Sequence, residues 1–327
     1  MKHFLSIRDL AREDLPRLFA LMAELKAKTK ARDRSTPLPG RTMALIFEKP
    51  SLRTRVTFEV AMVQLGGAAV YLAAQEIGMG KRESVPDVAR NLSRWVDVVA
   101  ARVFSHKTLE QLAANASVPV INGLSDLEHP CQAMADFFTL WERGVDLAKL
   151  RLAWVGDGNN VCNSLLLVGA MLGTSAVVAT PPGYEPDAAV LEACRAMGGR
   201  VRVTTEAREA LEDADVVYTD TWISMGQESD REQRLEAFQR YQLAWRAFRL
   251  GPRSGYCLSD ELPRTGAEAM RSLQPPFIDA RRVYFANRGI WDAVASAGPQ
   301  VSLAHAPRDI ERYLAVAEAF LAEVVAA

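Results

Sequence analysis

The sequence has little of the chemistry by which metalloproteins and secreted proteins are recognised. Its 327 residues include four cysteines and four histidines. The cysteines form no CxxC pair, and no His/Cys cluster has the spacing of metal ligands. We therefore expect neither a metal site nor a disulfide framework, and a reducing cytoplasm is the expected location.

Long apolar runs and an excess of charge of one sign are also absent. No stretch approaches the roughly 18 apolar residues of a membrane span, and the first residues, MKHFLSIRD, lack the apolar stretch of a signal peptide. The 39 basic and 40 acidic residues give a net charge of -1, and 49% of the chain is hydrophobic. We expect a globular protein long enough for two domains, with neither a nucleic acid nor a membrane as partner.

Helix and strand patterns alternate along the first half of the sequence. A helix is predicted over residues 8–31 and another over 129–143, with Pro130 in its first turn. Short β-branched or apolar runs predict strands at 43–47, 70–72, 96–104 and 118–124. Such alternation indicates a parallel sheet covered by helices on both faces.

The alternation starts again near Leu150, where LRLAWVGDG predicts a buried strand that ends in glycines. The predicted fold class is therefore α/β, with two doubly wound parallel-sheet domains. Ligands of such domains bind beyond the carboxyl ends of the strands. The loops at 156–160 and 220–226 are therefore candidate pockets.

The segment FEKPSLRTRVTFE, residues 47–59, predicts a strand, a tight turn and a helix that begins near Ser51. The free N–H groups at such a helix end attract anions, and Arg53 and Arg55 add full charges. The alternative is an ordinary capped helix with solvated arginines.

Two further segments carry candidate polar groups. HPCQ places His129 and Gln132 on one face of a helix start, as candidate donors to a carbonyl oxygen, although His129 could equally be a structural cap. Arg102 lies within an apolar strand, where a buried arginine needs an anionic partner. That partner could be a ligand, or a carboxylate such as Asp87 or Asp97.

Two loops of the second half complete the candidate pockets. GDGNN, residues 156–160, lacks the third glycine of a dinucleotide fingerprint. It could be a simple capped turn, or Asn159 or Asn160 could bind an amino-acid ligand. In TDTWISMGQE, Asp220 could bind an ammonium group, or it could cap a surface loop.

Taken in this order, these segments resemble the aspartate/ornithine carbamoyltransferase family, and most closely its ornithine-type members. The family pattern F-E-x-x-S-x-R-T-R-x-S-F-E matches residues 47–59 with Thr57 in place of the second serine, H-P-x-Q matches 129–132, and D-x-W-x-S-M-G matches 220–226. The resemblance covers residues 1 to about 242. It implies transfer of the carbamoyl group from carbamoyl phosphate to the δ-amine of L-ornithine, which gives L-citrulline and phosphate.

The resemblance also implies a domain organisation and an assembly. A carbamoyl phosphate-binding domain is expected over residues 1–145, an ornithine-binding domain over 146–305 and a C-terminal helix over 306–327. Neither a metal nor an organic cofactor is implied. The expected assembly is a homo-oligomer, a trimer in the family.

The site residues implied by the resemblance fall into three sets. The residues expected to contact carbamoyl phosphate are Ser51, Leu52, Arg53, Thr54, Arg102, His129, Gln132 and Arg288. The residues expected to contact ornithine are Asn160, Asp220, Ser224, Met225 and Leu258. The catalytic roles are expected for Arg102, His129, Gln132 and Cys257. Leu52 stands where the family usually has threonine, so it is expected to act through its backbone N–H.

The sequence departs from the family pattern at Gly78 and after Gln242. The family often has Gln or His at the first position, where it reaches into a neighbouring subunit's site. In the tail, Cys257-Leu258 and Arg288 match the family's H-C-L-P and E-N-R segments only in part, and the last residues are similar to the end of class III aminotransferases. Two alternatives therefore stay open: a carbamoyltransferase for another amine, such as N-acetylornithine, and a ligand-binding homologue without catalytic activity.

Overall fold

Two parallel sheets of four strands each form the framework of the computed structural model. The structure describes residues 2–33, 35–224 and 227–241, together with the helical residues Ala315 and Ala319. The predicted site residues Met225, Cys257, Leu258 and Arg288 lie outside the described residues, as does most of the predicted C-terminal helix. One compact unit spans Met1–Arg234 and another spans Leu235–Ala327.

The first sheet has the strand order β2-β1-β3-β4, and all its pairs are parallel. Its strands are β1 (Thr42–Phe47), β2 (Ala68–Ala73), β3 (Val98–Arg102) and β4 (Val120–Leu124). The helices of this half are α1 (Leu15–Lys30), α2 (Leu52–Gln64), α3 (Ala74–Ile77), α4 (Val85–Trp95), α5 (His106–Asn115) and α6 (Pro130–Trp141).

The second sheet has the order β7-β6-β5-β8 and is also parallel. Its strands are β5 (Arg151–Val155), β6 (Ser175–Ala179), β7 (Arg200–Thr204) and β8 (Val216–Tyr218). Its helices are α7 (Asn160–Leu172), α8 (Ala188–Ala196) and α9 (Ala207–Leu211), and α10 (Arg231–Phe238) follows in the chain. The predicted α/β class with two parallel sheets is confirmed.

The start of the first predicted helix was wrong. A helix over residues 8–31 was expected, but α1 begins at Leu15, after 3-10 turns at Ile7–Asp9 and Arg12–Asp14. A helix that began at residue 8 would place Pro16 in its interior, where proline lacks the N–H and clashes with the preceding turn. Pro16 instead lies in the first turn of α1, and Ser6 and Asp9 close the preceding turn as a capping box.

Alternate residues of β1 serve the two faces of the first sheet. Leu45 packs on the face that contains Met62 of α2, whereas Ile46 packs on the face that contains Val88 of α4 and Leu109 of α5. This period of two is what a strand covered on both sides requires.

A separate buried cluster joins the two halves of the first unit. It includes Phe19 of α1, Phe137 of α6, Trp154 of β5 and Leu166 of α7. Helix α7 is buried from Val161 to Met171, and its two buried polar side chains, Asn163 and Ser164, donate to the Leu127 carbonyl and to Glu128. The two sheets are therefore connected through packed helices and not only through the chain. Among the described helices, none is long and apolar enough to cross a membrane.

Candidate active site

The carboxyl edge of the first sheet brings together the segments that were predicted to bind an anion. Phe47 of β1 pairs with Arg102 of β3, and Arg102 pairs with Leu124 of β4. Because adjacent parallel strands end at the same edge, the segments at Ser51, Arg102 and His129 emerge there side by side. Glu48 fixes this edge, since its N–H donates to the Arg102 carbonyl (2.8 Å) and its Oε2 accepts from the N–H of Phe104 (2.6 Å).

Helix α2 presents its N-terminus at this edge, as the sequence predicts. Ser51 is the N-cap: its Oγ accepts from the Thr54 N–H (3.4 Å) and donates to Thr54 Oγ1 (3.0 Å). The N–H groups that precede Thr54 have no partner within the helix. The Leu52 side chain is 80% exposed, so its expected contribution to an anion site is its backbone N–H. A negatively charged ligand is favoured at such a helix end.

Arg102 is a buried cation to which no carboxylate of the described residues is paired. Its side chain is 7% exposed, and its Nε has no hydrogen-bond partner in the part of the chain that the structure describes. The carboxylates considered as partners are engaged elsewhere, Asp87 with Arg90 and Asp97 with Arg41. Burial, and then the charge of Arg53, lower the pKa of Arg102. A buried guanidinium that faces a second arginine indicates an anionic ligand.

His129 occupies the N-cap position of α6, but its side chain caps nothing. Its Nδ1 is buried without a partner among the described residues, while its backbone N–H donates to Ser164 Oγ of α7 (2.9 Å). Burial, and then the charge of Arg102, lower the pKa of His129 to about 4. The imidazole is therefore neutral near physiological pH, with one ring nitrogen as a donor and the other as an acceptor.

The turn before His129 is fixed by a buried carboxylate, Glu128. Its oxygens accept from Ser6 Oγ (2.5 Å), from the Ile7 N–H (3.1 Å) and from Ser164 Oγ (3.2 Å). Sequence reasoning missed this role, because two of the donors lie more than a hundred positions away in the chain and no local pattern indicates them.

Gln132 is held by a carboxylate one turn further along α6. Its Nε2 donates to Asp136 Oδ1 (2.9 Å), and Tyr218 of β8 donates its hydroxyl to Asp136 Oδ2 (2.9 Å). Burial raises the pKa of Asp136 to about 6, although both hydrogen bonds act in the opposite direction. The (i, i+4) spacing of Gln132 and Asp136 was a signal that could have revealed this pair.

The carboxyl edge of the second sheet contributes Asn159, Asn160 and Asp220. Asn159 caps α7 through its Oδ1 and donates its Nδ2 to Asp220 Oδ2 (3.0 Å). Asn160 donates its Nδ2 to the carbonyl of Ser125 (2.5 Å), which follows β4 of the first sheet. Asp220 is thus held at the end of β8, and Asn160 connects the two strand edges.

The second glycine of GDGNN, Gly158, is required by the packing of two backbone segments. A Cβ on Gly158 would lie 2.2 Å from the Pro186 nitrogen and 2.4 Å from the Glu185 carbonyl carbon. Only glycine allows this close approach of two backbone segments. The structure therefore favours the capped-turn interpretation over dinucleotide binding.

A buried ion pair holds the loop that follows β8. Arg234 donates to Asp157 Oδ2 (2.8 Å) and to the carbonyl of Trp222 (3.0 Å). The two side chains of the pair are 11% and 8% exposed. Within the loop, the Ser224 N–H donates to Gln227 Oε1 (3.1 Å). The pair thus links the GDGNN loop to the segment that carries Asp220 and Ser224.

Two family models match this chain. The one described as the carbamoyl-P binding domain of aspartate/ornithine carbamoyltransferase matches residues 2–142, and the one described as the Asp/Orn binding domain matches residues 148–264. The chain belongs to the aspartate/ornithine carbamoyltransferase family. The resemblance inferred from the motifs is confirmed.

Individual members of this carbamoyltransferase family cover most of the chain. It is 47% identical to the ornithine carbamoyltransferase of Archaeoglobus fulgidus over 244 residues, 75% of this chain and 80% of that protein. The enzyme of Methanosarcina acetivorans is 48% identical over 239 residues, 73% of this chain and 79% of that protein.

Solved structures of the family have the same fold. The ornithine carbamoyltransferase of Pyrococcus furiosus gives a TM-score of 0.71 at 45% identity, over 74% of this chain and 79% of that chain. The ornithine carbamoyltransferase of Thermus thermophilus gives a TM-score of 0.66 at 48% identity, over 74% of this chain and 79% of that chain.

The candidate site described above is built from protein side chains and helix ends. Among the residues that the structure describes, no three His, Cys, Asp or Glu side chains are grouped to hold a metal ion. The thiols of Cys131, Cys162 and Cys194 are free. The roles assigned to the individual site residues remain predictions.

Proposed function

We propose that this chain transfers the carbamoyl group of carbamoyl phosphate to the δ-amine of L-ornithine, producing L-citrulline and phosphate. The observation that carries the proposal is a pair of buried nitrogens beside the N-terminus of α2, Arg102 Nε and His129 Nδ1, for which the described residues supply no hydrogen-bond partner. Polar atoms left without partners in a buried site are costly, and a polar ligand that binds them removes the cost. The similarity to ornithine carbamoyltransferases supports ornithine over N-acetylornithine as the acceptor.

The phosphate group would lie at the α2 N-terminus. Ser51, Thr54 and the backbone N–H of Leu52 would donate hydrogen bonds, and Arg53 would add a full charge. The carbamoyl oxygen would face Arg102, which is buried, and His129, whose Nδ1 is buried. Donors in a dry site stabilise the negative charge that develops on this oxygen when the carbonyl carbon is attacked.

Ornithine would bind at the edge of the second sheet. Asp220 would pair with its α-ammonium group, while Asn160, Ser224 and Met225 would hold the rest of the amino acid, with Leu258 and Cys257 as expected contributors from the tail. The neutral δ-amine would form the new C–N bond, the C–O bond to phosphate would break, and the amine would lose a proton. Since both substrates are held in place, much of the rate enhancement would come from proximity.

The domain limits expected from the resemblance form part of this proposal. Residues 1–145 would bind carbamoyl phosphate, residues 146–305 would bind ornithine, and residues 306–327 would form the C-terminal helix. A cytoplasmic location is proposed with them, because free cysteines suit a reducing compartment.

A homotrimer is proposed from the resemblance, and one surface supports self-association. Helix α2 exposes four apolar side chains at helical spacing, those of Leu52, Val56, Val60 and Val63. Val70 of the edge strand β2 is exposed as well. Exposed apolar patches of this kind mark interaction surfaces. Sedimentation equilibrium of the full chain should give three chain masses, and a single chain mass would contradict the trimer.

The assignment of the phosphate site is tested by Arg53→Ala. Loss of a charge-assisted contact should weaken carbamoyl phosphate binding at least about tenfold in calorimetry. Arg55→Ala is the matched control, because that guanidinium is already engaged by Glu59 (2.9 Å) and lies 3.6 Å from the centre of the Tyr71 ring. Equal affinities of the wild type and a folded Arg53→Ala variant would contradict the assignment.

The assignment of the ornithine site is tested by Asp220→Asn. The variant should raise the KM for ornithine and leave the affinity for carbamoyl phosphate unchanged, because the α-ammonium group loses its charged partner. Asp213→Asn, an equal change of charge at an exposed residue before β8, should change neither. If Asp220→Asn weakened the binding of both substrates equally, the assignment of Asp220 to the ornithine site would be contradicted.

A further inference from the structure

Asp136 lies between the two halves of the candidate site. One of its carboxylate oxygens accepts from Gln132 on α6, and the other accepts from Tyr218 on β8. Tyr218 is two residues before Asp220, and its ring stacks on Trp154 with 5.2 Å between the ring centres. Asp136 therefore connects a predicted carbamoyl-binding residue to the strand that ends at the predicted ornithine-binding residue.

The charge state of Asp136 decides which end of the Gln132 amide faces the ligand. An ionised carboxylate can only accept hydrogen bonds, so it selects the amide NH2 group and turns Gln132 Oε1 away from itself. The free oxygen is then an acceptor. The carbamoyl group of carbamoyl phosphate ends in an NH2 group, which needs an acceptor of this kind.

We propose that Asp136 is a positioning residue for carbamoyl transfer, which presents Gln132 Oε1 to the carbamoyl NH2 group and holds β8 in register with it through Tyr218. The inference rests on the proposed function. It adds a residue that lies outside the three family motifs and that is expected to contact neither substrate.

Protonation of Asp136 should interrupt this arrangement. A protonated carboxyl group has a hydroxyl donor, which would oppose the Gln132 NH2 group or force the Tyr218 hydroxyl to turn from donor to acceptor. Burial and the charge of Asp220 raise the pKa of Asp136, to about 6 in total, whereas the hydrogen bonds from Tyr218 and Gln132 lower it. Transfer should therefore decrease as the pH falls through about 6.

Asp136→Asn tests the proposal, because its side-chain NH2 group either faces the Gln132 NH2 group or requires the Tyr218 hydroxyl to turn and accept, and in both cases the charged acceptor that selects the Gln132 NH2 group is lost. We expect kcat for citrulline formation to decrease at least about tenfold, with a much smaller change in the KM for ornithine. The part of the acid-side decrease of kcat that is centred near pH 6 should disappear. Asp146→Asn, at an exposed carboxylate in the loop after α6, should retain the wild-type kcat and pH profile.

Tyr218→Phe provides a second test in which the carboxylate is retained. Since the Tyr218 hydrogen bond lowers the pKa of Asp136, its removal should move the acid side of the kcat profile to higher pH. A residue with a merely structural role would not shift this profile.

The inference would be overturned if Asp136→Asn had the kcat and pH profile of the wild type, or if Tyr218→Phe left the acid side in place. A wild-type protein that forms no citrulline would contradict the proposed function instead. In that case calorimetry still decides the inference: Asp136→Asn should bind carbamoyl phosphate several-fold more weakly, and equal affinity would overturn it.

Discussion

His129 is neutral near physiological pH in a pocket that also contains the cation Arg102. Its pKa is lowered from 6.5 to about 4 by burial and by that neighbouring charge. Between these two values the unfolded chain binds a proton that the folded protein does not bind. The contribution of His129 to stability is therefore unfavourable at low pH, and folding is favoured increasingly as the pH rises from about 4 to about 6.5.

Replacement of His129 should remove this pH-dependent contribution to the free energy of unfolding. The difference in the free energy of unfolding between the His129→Gln variant and the wild type should depend on pH. When the pH is lowered from neutral to below about 4, this difference should move in favour of the variant by on the order of 3 kcal/mol. Urea unfolding at a series of pH values measures the difference between the two proteins. A difference that does not change with pH would mean that the imidazole is not held in its neutral form.

Single residues were predicted from sequence where a motif carried them, and missed where their partners are distant. Ser51 was expected as a helix cap, and its geometry bears this out. Arg102 was recognised because a charge within an apolar strand is unusual. Asp157 and Arg234 were not recognised, since they are 77 positions apart and each looks like an ordinary polar residue in its local segment.

At the scale of elements, the loop after β8 depends on the buried pair of Asp157 and Arg234. Arg234→Met should destabilise the folded protein by about 3–5 kcal/mol, because it leaves a buried carboxylate without its partner. Loss of the bond to the Trp222 carbonyl should also raise the KM for ornithine. Urea unfolding and steady-state kinetics measure the two effects.

Arg202→Met is the control for this prediction. It breaks a pair with Glu209 at a similar distance, 2.7 Å, but the two side chains are 55% and 48% exposed. Exposed pairs contribute little to stability, so this variant should resemble the wild type. Equal behaviour of the two arginine variants would contradict the structural role of Arg234.

The turn from β5 to α7 should tolerate no side chain at Gly158. Gly158→Ala should destabilise the protein by about 1–3 kcal/mol, because the added Cβ overlaps the Glu185–Pro186 backbone. Gly183→Ala is the contrasting variant, since its φ of +84 strains alanine but no atom lies within 4 Å of the added Cβ. Thermal unfolding should rank Gly158→Ala as the less stable of the two.

Sequence patterns placed the strands well and the ends of one helix less well. Strands such as β1 and β4 are short apolar runs bounded by polar turns, which gives a clear local signal. The first helix was extended too far, because apolar residues such as Leu10 continue a helical spacing that Pro16 prevents the backbone from following.

At the level of the whole chain, the two sheets of the first unit are held together because helices from both halves share a core. Phe137 of α6 and Leu166 of α7 belong to the same buried cluster. The sequence predicted two parallel sheets, but the packing between them depends on which helix faces meet. Periodicity within a single segment carries no such information.

Carbamoylation of ornithine by carbamoyl phosphate is the activity that we propose for this chain. The most direct measurement incubates the purified full chain with carbamoyl phosphate and, in separate reactions, with L-ornithine, N-acetylornithine or L-aspartate, and quantifies the ureido product and phosphate. We expect citrulline and phosphate in equal amounts with ornithine, and neither product above background with the other amines. Preferential reaction of another amine, or binding of carbamoyl phosphate with no citrulline formed, would contradict the account.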